Sequence, residues 1–172
     1  GPNCLGVANV KSKMWACSLS TLGIDPIPFG RAGLISHSGA TGFGPLLSQA
    51  KDQQVGLKYI VTTGNEADLD VCDFIDFMLE DDEIDVVATL IEGVKDGTKL
   101  KKVTEKAKIL KKPIVMLKIG ESEVGERAAA NHTASMTGNI EVFNALVKQQ
   151  GIIKVDDYSE LIEMVKTLQY KK

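Results

Sequence analysis

The chain has 172 residues, 44% of them hydrophobic, and carries 20 Lys and Arg against 23 Asp and Glu for a formal charge of -3. That length buries one sizeable core, and the mild acidity with interspersed signs excludes the basic field that nucleic acid or an anionic membrane would need, so neither is an expected partner. Cys4, Cys17 and Cys72 lack CxxC spacing, which argues against a disulfide framework or a zinc site and makes a reducing cytoplasm the expected compartment, while no apolar run approaches the roughly 20 residues of a membrane span.

The chain opens on "GPNCLG" without an initiator Met, and its first 30 residues are expected to belong structurally to a neighbouring domain of a longer protein. From Gly33 onward, strand-length apolar runs alternate with segments of helical period. The candidate strands are "AGLIS", "LKYIVTT", "IDVVATLIE", "PIVMLKI" and "IIKV". Between the first two, "TGFGPLLSQAKDQQV" puts Phe43, Leu46, Leu47 and Ala50 on one helical face. "DVCDFIDFMLEDD" does the same with Val71, Phe74, Ile75 and Met78. "KLKKVTEKAKILKK" reads as an amphipathic helix with a solvated basic face, and "IEVFNALVKQQ" and "YSELIEMVKTL" supply two more helices. Strands separated by helices predict a doubly wound α/β domain, a three-layer arrangement whose mostly parallel sheet is covered on both faces by right-handed crossovers. In such sheets ligands gather beyond the carboxyl ends of the strands, where the strand order reverses.

The loops at that edge carry the candidate chemistry. After the first strand, "SHSGATG" offers the hydroxyls of Ser36, Ser38 and Thr41, with Gly39 and Ala40 opening a helix whose free N–H groups suit a phosphate. The same letters also fit a serine N-cap with a tight turn, and the segment is neither a Walker loop nor a GxGxxG fingerprint. After the second strand, Gly64 and Asn65 make a turn and Asp68 or Asp70 starts a helix. After the third, Glu92 ends an otherwise apolar strand. After the fourth, the chain runs from Lys118 to Asn139 with at most a short helix, "VGERAAA", and His132 sits inside that long connection. A neutral imidazole is a nucleophile, and a carboxylate on one ring nitrogen fixes the tautomer and exposes the other. Phosphorylation of His132 oriented by Glu92 is therefore chemically sensible.

"GPNCLG", "ISHSGATG", "TTGNEADLD", "EGVKDG" and "NHTASMTGN" occur in the order seen in the NDP-forming acyl-CoA synthetases, the superfamily of succinyl-CoA synthetase, which the chain resembles over essentially its whole length. The resemblance implies the flavodoxin-like second domain of the α-type portion (31–172), preceded by an N-terminal arm, the tail of a CoA-binding domain and linker (1–30). Carried over position by position, it implies that His132 is the phosphorylated carrier and that Glu92 holds it. Ser36, Ser38, Gly39 and Ala40 would cradle the phosphate, Asn3 and Cys4 would lie close to bound CoA, and Gly64 and Asn65 would lie at the acyl or phosphate site. One departure is Ala134, where many relatives have Gly. The implied partners are CoA, a small carboxylic acid, phosphate, and an ATP-grasp domain or subunit that binds ATP or ADP with Mg, within an oligomeric enzyme. A rival reading keeps the fold as a non-catalytic CoA-sensing domain of an acyltransferase-type fusion, although the presence of both His132 and Glu92 weighs against it. An FMN module or receiver domain is opposed by the few aromatics near the loops and by the lack of clustered strand-end acids.

Overall fold

The computed structural model describes residues 1–18, 26–120 and 140–169. Its centre is a seven-stranded sheet: β1 (Gly6–Asn9), β2 (Met14–Cys17), β3 (Phe29–Ser36), β4 (Leu57–Thr62), β5 (Val86–Ile91), β6 (Ile114–Lys118) and β7 (Ile153–Val155), in the spatial order β2-β1-β4-β3-β5-β6-β7. Strands β3 to β7 pair in parallel, as their near-continuous Val, Ile and Leu content requires of strands buried on both faces. β1 pairs antiparallel with both β4 and β2.

Alternation along each strand divides the core in two. Leu34 of β3 and Ala88 and Leu90 of β5 face one cluster, with Phe43, Leu46 and Leu47 and with Leu161 and Val165 of the last helix. Ile35 and the intervening Val87 and Ile91 face the other, with Ile75, Met78, Leu100 and Val103. The first layer is made by α1 (Gly39–Thr41), a π-helical turn (Gly42–Leu46), α2 (Leu47–Asp52) and α6 (Tyr158–Gln169). The opposite layer contains α3 (Val71–Glu80), α4 (Gly97–Leu110) and α5 (Ile140–Gln150). Fully burying each Leu or Ile contributes about 1.5–3 kcal/mol, so the two clusters dominate the fold's stability.

Two departures from the sequence reading have clear causes. The expected helix after β3 is broken into three pieces, because Pro45 sits inside it and Gly44 adopts a non-helical conformation (φ -97, ψ -107). An unexpected hairpin, β1 and β2, extends the sheet. Its strands have four residues each and half-exposed patterns, so no apolar run announces them. Elsewhere the helices begin at or within two residues of the expected segments, α4 at Gly97 instead of Lys99. Asp70 caps α3 in a reciprocal capping box with Asp73, and Asp96 caps α4.

Candidate functional site

The order β4-β3-β5 means that the chain leaves β3 toward one neighbour and later returns on the other side. The connection after β3 leads to the α1–α2 layer and the connection after β5 to the opposite layer, so the two loops diverge and open a crevice at the carboxyl edge. His37, the residue after β3, is buried at that edge. Its backbone N–H donates to Leu90 O (3.0 Å), and its carbonyl accepts from Gly64 N (3.1 Å). Its ring Nδ1 accepts from the backbone N–H of Glu92 at 3.0 Å. Its Nε2 lies 3.0 Å from Oε1 of Glu66, close but out of line with the ring N–H direction. His37, Glu66 and Glu92 are all buried, at 5%, 6% and 2% exposure.

Burial alone would raise the Glu66 carboxyl pKa. The His37 ring, the Val71 N–H and the Lys95 ammonium outweigh it, and the net shift is downward. Val71 N donates to Glu66 Oε1 at 2.7 Å, so the same carboxylate helps to cap α3. Lys95 donates to the carbonyls of Asn65 (2.8 Å) and Glu66 (2.6 Å), tying the loop after β5 to the loop after β4.

The residues singled out by sequence gather here, with one exception. Ser36 is fully buried and its hydroxyl donates to Ser38 O at 2.7 Å. Ser38 Oγ is the N-cap, accepting from Thr41 N (3.3 Å) and from Thr41 Oγ1 (3.0 Å). Ala40, in the first turn, is exposed, whereas a Cβ on Gly39 would meet Leu5 N at 2.7 Å. Gly64 has φ +60, and a Cβ there would come within 2.3 Å of Pro2 O. Both glycines thus admit the N-terminal segment of this same chain. Asn3 Nδ2 donates to Asn65 Oδ1 (3.3 Å), Asn65 N to Pro2 O (2.9 Å), and Leu5 N and Gly6 N both to Thr62 Oγ1 (3.1 and 2.9 Å). Cys4 is half-buried in that segment with a free thiol. His132 and Ala134, with the short helix expected before them, lie outside the described residues.

Sequence reasoning passed over His37 and Glu66. Both stood inside quoted motifs, and the available signal was a histidine at the first residue past a buried strand. Cys72, by contrast, is chemically quiet: burial, with Asp70 adding to it, pushes its thiol up to about 12. Among the described residues no group of three or more His, Cys, Asp or Glu could hold a metal ion, and no helix is long and apolar enough to cross a membrane.

Residues 29–168 match the family model described as succinyl-CoA ligase like flavodoxin domain. The α subunit of ADP-forming acetate–CoA ligase II from Pyrococcus furiosus is 35% identical over 166 residues, which cover 96% of this chain and 35% of that subunit. The ADP-forming 4-hydroxybutyrate–CoA ligase of Nitrosopumilus maritimus is 37% identical over 164 residues, covering 95% of this chain and 23% of the enzyme. Among solved structures, the dinucleotide forming acetyl-coenzyme A synthetase 1 of Ca. Korarchaeum cryptofilum, in complex with phosphate and ADP, superposes with a TM-score of 0.89 at 31% identity, over 100% of this chain and 36% of that one. The chain therefore spans about a third or less of the length of these relatives.

Proposed function

The chain belongs to the family of succinyl-CoA ligase like flavodoxin domains, and from that membership we propose that it is the phosphate-transferring part of an ADP-forming acyl-CoA synthetase. The reaction, completed with portions outside these residues, is acyl-CoA + phosphate + ADP ⇌ acid + CoA + ATP. The observation that carries the reading is the buried Glu92 at the reversal of strand order, where its backbone N–H bonds the His37 ring of the loop after β3. Relatives that are ADP-forming CoA ligases of acetate and of 4-hydroxybutyrate support it. Those two acids differ in size, so the substrate class is a small carboxylic acid.

Phosphate attacks the acyl-CoA carbonyl and the CoA thiolate leaves, giving an acyl phosphate. The neutral imidazole of His132 then attacks phosphorus and the carboxylate departs, leaving phosphohistidine. An ADP oxygen finally takes the phosphoryl group to form ATP and restore the imidazole. Glu92 presents its carboxylate to His132, fixing the tautomer and stabilising the cationic ring. Ser36, Ser38, Gly39 and Ala40 form the helix start toward which the phosphoryl group is directed. Ala40 is on its exposed side, while Gly39 is covered by Leu5. Residues 1–30 serve as the tail of a CoA-binding domain, anchored through the β1 pairing to β4, with Asn3 and Cys4 near CoA and Gly64 and Asn65 near the acyl phosphate. The described residues offer no carboxylate cluster for Mg. The metal belongs with the nucleotide on an ATP-grasp domain or subunit within an oligomeric, cytoplasmic enzyme.

Of the two histidines, His37 is buried, with Nδ1 accepting from Glu92 N and Nε2 packed 3.0 Å from Glu66, which supports His132 as the carrier. The test is mass spectrometry of the intact enzyme after brief exposure to Mg-ATP, with the modified peptide mapped. Phosphate is expected on the peptide containing His132, labile to acid and stable to base, and His132→Asn is expected to abolish both labelling and ATP formation. Phosphate on a serine of "SHSGATG", or undiminished labelling of the Asn variant, would overturn the assignment.

A further inference from the structure

We infer that His37 is a positioning residue for this transfer: held as the neutral Nε2–H tautomer against Glu66, it accepts the Glu92 N–H on Nδ1 and so fixes the backbone from which Glu92 presents its carboxylate. The inference rests on the proposed role of Glu92 and adds a residue that the transfer chemistry itself does not call for. Its geometry is specific. A backbone N–H can donate only to an unprotonated ring nitrogen, so the 3.0 Å contact from Glu92 N requires a lone pair on Nδ1. The proton then belongs on Nε2, which faces the Glu66 carboxylate oxygen at 3.0 Å. Glu66 is itself fixed by Val71 N at 2.7 Å, at the start of a ten-residue helix. A chain of contacts thus runs from the α3 N-terminus through Glu66 and the imidazole to the last turn of backbone before the crevice.

The arrangement suits orientation better than stability alone. A merely space-filling side chain at this buried position would leave the Glu92 N–H without an acceptor and free to turn toward another partner. The peptide that carries the catalytic carboxylate would turn with it. His37 also bonds to both flanking strands' ends through its backbone, to Leu90 O and from Gly64 N, so the ring is carried on a segment that is itself clamped. A side chain that bonds the peptide behind a reacting group holds that group within the narrow geometry that transfer requires.

The test compares His37→Leu, which removes both ring contacts, with His37→Asn, whose amide oxygen can stand near the Nδ1 position and accept from Glu92 N. Single-turnover phosphorylation of the full-length enzyme by Mg-ATP is the readout, with His132→Asn as control and thermal melts to choose a temperature at which each variant is folded. His37→Leu is expected to slow phosphorylation roughly 10- to 100-fold with the KM for ATP within about twofold, and His37→Asn to recover to within about fivefold of the parent. Equal slowing by the two variants, or none by His37→Leu, would overturn the inference while loss of labelling in His132→Asn still upheld the carrier. Should His37→Leu fail to fold, ring-nitrogen NMR of the 172-residue chain decides, since its two histidines are His37 and His132 and the His132→Asn variant assigns them. An unprotonated Nδ1 and a protonated Nε2 on His37 are expected near neutral pH. A proton on Nδ1 would refute the positioning role whatever the outcome at His132.

Discussion

The two edges of the sheet bury charge in opposite ways. At the amino edge, Lys58 of β4 is 5% exposed, and its ammonium donates to Asp81 (2.5 Å) and Glu83 (2.7 Å). Tyr59 Oη adds a third bond to Asp81 at 2.6 Å, while Arg31 holds Asp85 through two nitrogens, at 2.6 and 2.8 Å. Burial works against the Lys58 charge, yet the two carboxylates raise its pKa overall. Burial likewise opposes the Asp81 charge, but Lys58 and Tyr59 bring its pKa down to about 2. Opposite charges there cancel within one cluster. At the carboxyl edge the buried groups meet through an imidazole: His37 Nε2 lies 3.0 Å from Glu66 Oε1, its Nδ1 accepts from the Glu92 backbone N–H, and the Lys118 ammonium donates to the Glu92 carbonyl at 3.3 Å. The first edge ties down the loop before β5; the second joins the loops after β3, β4 and β5.

That contrast can be broken by substitution. The largest effect is expected from Glu92→Gln in the full-length enzyme, which keeps the shape and removes the charge: transfer falls about 10- to 100-fold, while the melting temperature moves little. A fall in stability with unchanged rate would instead put Glu92 in the same class as Asp81. Next in size is Lys58→Met, which leaves Asp81 without its cation while Glu83 keeps Lys11. Removing one member of a buried pair costs about 3–5 kcal/mol, and since Glu83 stays partly in water the expected loss is about 2 kcal/mol, read by urea denaturation of the 172-residue chain. Transfer by the corresponding full-length variant, assayed below its melting transition, is expected to be unchanged.

The smallest effect is a pH dependence. A carboxylate whose folded pKa lies below its unfolded value contributes stability that is complete above the unfolded value, near 3.9. That contribution is lost as pH falls toward the folded pKa of about 2. Denaturation midpoints should therefore decline between about pH 4 and pH 2, and Asp81→Asn should flatten that part of the decline. An unchanged acid slope in Asp81→Asn would mean that other carboxylates govern it.

How much of this was legible follows from the range of each interaction. Five strands and the helices around them could be read from periodicity, because burial on both faces of a parallel strand, or on one face of a helix, is written into consecutive residues. The cap of α3 was equally local, since Asp70 bonds to N–H groups two and three residues away. The loops worth searching followed from topology, and five ordered motifs pointed to the family. The hairpin did not announce itself, because "GVAN" and "MWAC" acquire strand character only by pairing with each other and with β4. Gly39 read as part of a phosphate-type helix start and Gly64 as part of a turn, and only the tertiary structure shows Leu5 and Pro2 against them. His37 shows the limit most clearly. Its partners stand 29 and 55 positions later in the chain, so a sequence displays a histidine among serines and two unrelated glutamates. Crossovers in a parallel sheet bring the ends of distant strands together, and the tautomer of a buried imidazole is set by whichever groups arrive there. Local chemistry determined which residues could react; the packing of β3 against β5 decided which of them meet.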